Sequence, residues 1–421
     1  MRRQPPAHSP IALTAIGRSA GALFPPGGRR AEAALSARLQ GRHAATASLL
    51  VDSGTSALRL AIAAAAGDAR PRVALPGFGC YDLVSAAVGA GAEIVFYDVD
   101  PETLTPDAAS LHRALELRPH AVVLAHLYGV PVSCARFEPA IREAGAVPIE
   151  DAAQGVGGTV DGAPLGSLAP LSILSFGRGK GITGGGGGAL LARGSGVALL
   201  ERVRGFVEPG ETGVRNLALS AAQWLLGRPA LFGVVAAVPG LRIGETIYRP
   251  PTPPRRIARA SAALVLQALA AEPGASATRR RNAARLLRGV RRNGALAEIE
   301  IAPRAEAGYL RLPVLARQGR TRGALLAHAR LGLIEGYPIV LPDLPEARPH
   351  VVGVGELPGA RSLAERLLTA PTHGQLTPPD LLALENLLAT AGSEAYRASP
   401  TAAATAAAAP GGGQGRETSS S

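Results

Sequence analysis

Leu174-Ser175-Phe176-Gly177-Arg178-Gly179-Lys180-Gly181 holds the only lysine of a 421-residue chain. Lysine and arginine together number 44, so the remaining 43 are arginines. Arginine serves wherever this chain needs a fixed positive charge, and a lone lysine marks a place where it cannot substitute. A guanidinium stays charged, whereas a desolvated ammonium loses its proton and attacks carbonyls. The stretch therefore predicts a Schiff-base lysine rather than a surface charge left by composition. Its flanks agree: an apolar run from Leu171 to Phe176 precedes it, and five glycines from Gly184 to Gly188 follow.

The apolar run is the sixth of seven short β-prone segments. The others are Ser48–Val51, Arg72–Leu75, Ala92–Tyr97, Ala121–Ala125, Val147–Glu150 and Ala189–Ala192. Ala/Leu-rich helical stretches separate the early ones: Ser56–Ala65, Tyr81–Val88, Pro106–Leu117 and Cys134–Ala144. Such alternation predicts βαβ units, a mostly parallel sheet covered on both faces, and ligands beyond the carboxyl ends of the strands. The domain reading follows from the punctuation. Residues 1–45 form an irregular lead-in with one helix over Arg30–Gln40. Residues 46–250 form a large domain that includes an apolar segment at 216–241. The prolines from Pro250 to Pro254 open a smaller domain over 251–397, whose long first helix (Ile257–Arg291) breaks near Pro273-Gly274. Residues 398–421, rich in Ala, Gly, Thr and Ser, read as disordered.

Composition narrows the class. An apolar content of 47% is that of a globular protein. The net charge of +12 favours anions, yet aromatics make up only 4%, leaving little to stack bases on, so nucleic acid is not the expected partner. Cys80 and Cys134 offer neither a disulfide framework nor a metal cluster and suit a reducing cytoplasm. Arg228-Pro229 interrupts the apolar segment around Trp224 before either half reaches the ~20 residues needed to span a bilayer. It reads as a packed helix pair that could at most touch a membrane surface.

Two polar clusters accompany Lys180. Ser53-Gly54-Thr55-Ser56-Ala57-Leu58 follows a strand and opens a helix. Backbone N–H groups and hydroxyls there can cradle a phosphate, or simply cap the helix. Glu150-Asp151-Ala152-Ala153-Gln154 closes a buried strand, where one carboxylate can hold a protonated ring nitrogen. A phosphate site, a carboxylate for a pyridinium nitrogen and an amine for an aldehyde match the three handles of pyridoxal 5′-phosphate (PLP).

As an ordered set, Ser53-Gly54-Thr55-Ser56-Ala57-Leu58, His126-Leu127-Tyr128-Gly129, Glu150 to Gln154, Gly166-Ser167-Leu168 and Ser175-Phe176 with Lys180 resemble the DegT/StrS family of PLP-dependent sugar aminotransferases. Arg279, Asn282 and Ala283, and Leu376-Thr377 with Asp380, are similar to later family motifs. The resemblance implies the fold type I architecture of PLP transferases and a homodimer with shared sites. It also implies amino transfer, with L-glutamate as donor and a keto group on a nucleotide-linked sugar as acceptor. In it Lys180 forms the internal aldimine and moves the proton, and Asp151 pairs with the pyridine nitrogen. Gln154 lies against the ring or its phenolic oxygen, and Gly54, Thr55, Ser56 and Ser175 bind phosphate.

An aromatic of the turn Pro76 to Tyr81 would cover the ring; since Cys80 stands where the family has one, Phe78 or Tyr81 must serve. Gly181, Gly186 and Pro254 also depart from the family pattern, and Arg178 or Arg256 would replace the partner-subunit phosphate contact. Two alternatives remain. A dehydratase of the same family would carry histidine in place of Lys180. A non-catalytic scaffold would have no reason to keep the one lysine.

Overall fold

All seven strand candidates form strands, each within one residue of its expected ends. The computed structural model describes residues 2–237 and 246–391. The expected tail at 398–421, and residues 238–241 of the apolar segment, lie outside the described residues.

The strands run β1 (Ala47–Val51), β2 (Arg72–Pro76), β3 (Glu93–Tyr97), β4 (Ala121–Ala125), β5 (Val147–Asp151), β6 (Thr159–Val160), β7 (Ala163–Pro164), β8 (Leu171–Ser175) and β9 (Gly188–Ala192). The later ones are β10 (Leu296–Glu298), β11 (Ala305–Glu306), β12 (Leu312–Ala316), β13 (Ile334–Glu335), β14 (Val351–Val354) and β15 (Leu367–Ala370). Helices α1 (Leu13–Ser19) and α2 (Pro25–Arg42) precede the sheet; α3 (Gly54–Ala66), α4 (Asp82–Gly89), α5 (Ala108–Glu116), α6 (Cys134–Glu143) and α7 (Gly196–Val203) punctuate it. Then come α8 (Val214–Leu226), α9 (Pro229–Val235), α10 (Arg259–Arg291), α11 (Gly319–Leu326), α12 (Pro358–Arg366) and α13 (Pro378–Thr390).

The large sheet has the order β1-β9-β8-β5-β4-β2-β3-β14, and only β9 runs against the rest. Helices α3, α4 and α7 cover one face. Helices α5 and α6, with α2 and the first half of α10, cover the other. Burial on both faces explains why β4, β8 and β9 are apolar or small throughout. Leu58, Leu60 and Ile62 of α3 are buried, each contributing about 1.5–3 kcal/mol. A second, antiparallel sheet, β10-β12-β15-β13, packs under the second half of α10 and α13.

Helix α10 continues unbroken through Pro273, contrary to the expected break. Leu269, Glu272, Ser276 and Arg279 on either side are buried, and Glu272 is paired with Arg42 of α2. That packing outweighs the ~3 kcal/mol local cost of a mid-helix proline. The lead-in is more ordered than expected: α1 and α2 pack on α10, and residues 2–9 run as an arm over the second domain. The apolar segment forms the helix pair α8 and α9, with Arg228 stacked 4.0 Å from the Trp224 ring centroid. Among the described residues no helix is long and apolar enough to cross a membrane.

Candidate active site

The carboxyl ends of β1, β2, β4, β5 and β8 converge on one edge of the large sheet, and the residues singled out from sequence lie there. Ser53 caps α3, accepting from the Ser56 amide at 3.0 Å and donating to the Ser56 hydroxyl at 2.9 Å. The capping role is therefore real, and it leaves Thr55 free. Thr55 and Ser175 make no side-chain hydrogen bond among the described residues, so two hydroxyls stand open beside a helix N-terminus. Gly54 permits their approach, since a Cβ there would lie 2.7 Å from Cβ of Ser175.

Glu150 and Asp151 are adjacent on β5, and strand alternation sends them to opposite faces. Glu150 is fully buried. It accepts hydrogen bonds from Nε2 of His126 (2.9 Å), the Gly166 amide (2.6 Å), the Leu168 amide (2.8 Å) and the Ser172 hydroxyl (2.7 Å). The Val132 amide donates to Nδ1 of His126, which fixes the Nε2–H tautomer that Glu150 needs. Burial alone would raise the Glu150 carboxyl, but the bonds from His126, Gly166 and Ser172 outweigh it and hold the group below its usual range. Among the described residues the Asp151 carboxylate accepts one hydrogen bond, from the Ala153 amide at 2.9 Å. Loss of hydration raises its carboxyl, against the Ala153 bond and the nearby charge of Lys180. It is an under-satisfied acid within the field of Lys180.

Lys180 is half-buried in the loop after β8, whose Gly179 adopts φ +76°. Its charge acts on both Asp151 and the Cys80 thiol. The Lys180 carbonyl is held by the Ser9 hydroxyl, contributed by the N-terminal arm. The glycine tract beyond it is packed, not loose. Gly185 sits at φ +71° against α8, where a Cβ would come within 2.5 Å of the Ser220 hydroxyl oxygen.

Both aromatics of the turn after β2 have partners in one later segment. The Phe78 ring meets Tyr337 edge-on at 5.4 Å, and the Tyr81 hydroxyl accepts from the Ile339 amide at 3.2 Å. Both rings lean on the 337–339 segment. Cys80 is the residue of that turn whose thiol feels Lys180 and Asp151; burial and Asp82 push the thiol up to about 12, so it is neutral. Gln154 is committed to aromatic partners. Its Oε1 accepts from the Tyr128 amide (2.9 Å) and its Nε2 donates to the Tyr337 hydroxyl (2.7 Å). Arg178 is exposed on the Lys180 loop, and exposed Arg256 is bridged to Val51 just before the cradle.

Sequence reading missed Ser9, Tyr337 and Arg311, which reach the site only through contacts distant along the chain. His126 lay within a quoted motif, but its pairing with Glu150 needed the fold.

The architecture is that of the PLP transferases of fold type I. The DegT/DnrJ/EryC1/StrS aminotransferase family model matches residues 26–384, and the chain belongs to that family. That family is one of aminotransferases and depends on PLP.

L-glutamine:2-deoxy-scyllo-inosose aminotransferase of Streptomyces fradiae is 30% identical over 253 residues, 60% of this chain and 53% of that protein. The enzyme of the same name from Streptomyces paromomycinus is 36% identical over 34% of this chain and 33% of its own. dTDP-4-dehydro-2,3,6-trideoxy-D-glucose 4-aminotransferase of Saccharopolyspora spinosa is 33% identical over 34% of this chain and 37% of its own. The matched segments thus span about a third to a half of these curated relatives. Among solved structures, DesI in the presence of its TDP-sugar product has a TM-score of 0.73 at 20% identity, covering 94% of each chain. Spr1654 of Streptococcus pneumoniae, solved in PLP and PMP forms, gives 0.72 at 17–18% identity, with 92% of this chain and 97–98% of that chain covered.

Proposed function

We propose that the edge bounded by Thr55, Asp151, Ser175 and Lys180 binds PLP and transfers an amino group from an α-amino acid to a cyclic ketone. The observation that carries this is the single lysine of the chain at the same sheet edge as an under-satisfied, strand-end aspartate whose carboxyl it influences. The open hydroxyls of Thr55 and Ser175, beside the N-terminus of α3, fit a phosphate. Bound there, the cofactor supplies an aldehyde for amines and an electron sink for the carbon that loses its proton. Lys180 holds the cofactor at rest, and its freed amine moves the Cα proton as general base and then acid. Asp151 keeps the ring nitrogen protonated by a charge-assisted bond. Cys80 replaces the usual aromatic at the ring face with a neutral thiol.

The donor is L-glutamate or L-glutamine, the latter named in the inosose aminotransferases. The acceptor is a six-membered ring ketone, either a nucleotide-linked sugar or a free cyclitol, the two classes that the relatives' names contain. The enzyme works as a homodimer. The test is direct. Purified protein loaded with PLP should show a visible band, and borohydride should fix the cofactor on Lys180 in a peptide map. Label elsewhere, or transfer by Lys180→Arg, overturns the assignment. A panel of keto-sugar nucleotides and inososes selects the acceptor, and sedimentation gives the oligomeric state.

A further inference from the structure

One more charged group borders this edge. Arg311, the residue before β12, is half-buried, and its guanidinium carbon lies 5.2 Å from the Tyr128 ring centroid. It has neither a carboxylate nor a carbonyl partner among the described residues. Other buried or half-buried arginines of the second domain have partners: Arg285 has Glu385, Arg322 has Glu335, Arg366 has the Ala316 carbonyl, and Arg279 has Gly308, Val156 and Ser276. A ring face uses none of a guanidinium's N–H donors, so the fork of this half-buried group is open to an anion.

Its surroundings connect it to the site. The Tyr128 ring stacks on Tyr337 at 5.5 Å, and Gln154 ties both to the loop that follows Asp151. The Arg311 charge lies near both phenols and opposes the rise that burial imposes on them. The Tyr128 hydroxyl lies against the Tyr337 amide without good hydrogen-bond geometry, leaving a second polar group under-used. Tyr128 itself is held at φ +58°, a conformation uncommon for an aromatic residue.

We propose that Arg311 binds a substrate oxyanion beside the cofactor edge: the carboxylate of the amino donor or the diphosphate of a nucleotide-linked acceptor. This rests on the aminotransferase reading above. A guanidinium fork matches both anions bidentately, whereas the lone lysine is already assigned to the amine chemistry.

The test uses full-length protein loaded with PLP, comparing wild type with Arg311→Gln and Arg311→Lys. Borohydride labelling of Lys180 should be unchanged in all three. Calorimetric titration with glutarate, and separately with UDP and dTDP, reads the anion site without turnover. Cofactor absorbance changes are then followed with L-glutamate and with its α-amide, and, from the amino form, with a keto-sugar nucleotide. Loss of one charge-assisted contact should weaken the relevant anion about 10- to 100-fold in Arg311→Gln, with partial recovery in Arg311→Lys. Weakening confined to glutarate and L-glutamate identifies the donor carboxylate; weakening confined to UDP, dTDP and the sugar identifies the diphosphate. Less than twofold change in every titration, with Lys180 labelled normally, overturns the Arg311 assignment and leaves the aminotransferase reading intact. Absence of the Lys180 label in wild type overturns that reading, and calorimetry then judges Arg311 alone.

Discussion

Glu150 and Asp151 are the same chemistry one peptide apart, and the fold uses them in opposite ways. Glu150 is enclosed by four donors, and its charge is matched. Asp151 is left with one backbone bond and a charge that its surroundings do not fully support. A carboxylate that stabilises the fold is saturated. In the role proposed for Asp151, a carboxylate that is to hold a protonated ring is kept short of protein partners. The difference between neighbours separates a structural acid from a functional one.

Asp151→Asn is the strongest way to break the contrast. Amino transfer should fall by about 10²–10³-fold or more, because the ring nitrogen loses its anionic partner, while the urea midpoint at neutral pH stays level or rises. A large loss of stability would show that Asp151 is structural after all.

Glu150→Gln should do the converse, costing about 3–5 kcal/mol in urea unfolding, because His126, Gly166, Leu168 and Ser172 lose a buried charged acceptor. Any surviving folded protein should still fix the cofactor on Lys180.

The pH dependence of stability sharpens the pair. Glu150 titrates lower in the folded state, so its contribution is present above the ordinary range near pH 4.5 and is lost as pH falls through the folded value. Asp151 titrates higher when folded. Its contribution is present below the ordinary 3.8 and is lost as pH rises through the folded value. Urea midpoints against pH should therefore lose part of the acid limb in Glu150→Gln, and in Asp151→Asn lose the opposing decline.

Ser9→Ala should have the smallest effect, about 0.5–1.5 kcal/mol, through the bond to the Lys180 carbonyl. Its signature is local. Proteolysis of the Lys180 loop should quicken while the Glu150 shell, probed by hydrogen exchange at Gly166 and Leu168, is unmoved.

Much of the site was legible in advance because it sits at strand ends. A buried parallel strand announces itself by an apolar run, and the first polar residues after it fall at the ligand-binding edge. That placed Ser53 to Ser56, Asp151, Ser175 and Lys180. Pro273 misled, because a local breaker says nothing about the packing that can override it. The Gly184–Gly188 tract forms a close-packed seam against α8 and α10, a contact partner that local sequence does not name. The turn aromatics Phe78 and Tyr81 were candidates by position alone, and the partner that draws both rings, Tyr337, lies more than 250 residues away.

By itself the sequence determined the alternating strands, the lone nucleophile and the acidic pair, since periodicity and composition are properties of neighbouring residues. Only tertiary structure decided which acid is saturated and which is held in reserve. It also brought Ser9 to the Lys180 carbonyl and left Arg311 beside Tyr128 with no ion-pair partner among the described residues. The reason is that partners, burial and field arise where segments distant along the chain meet, and that meeting is fixed by packing of the whole molecule.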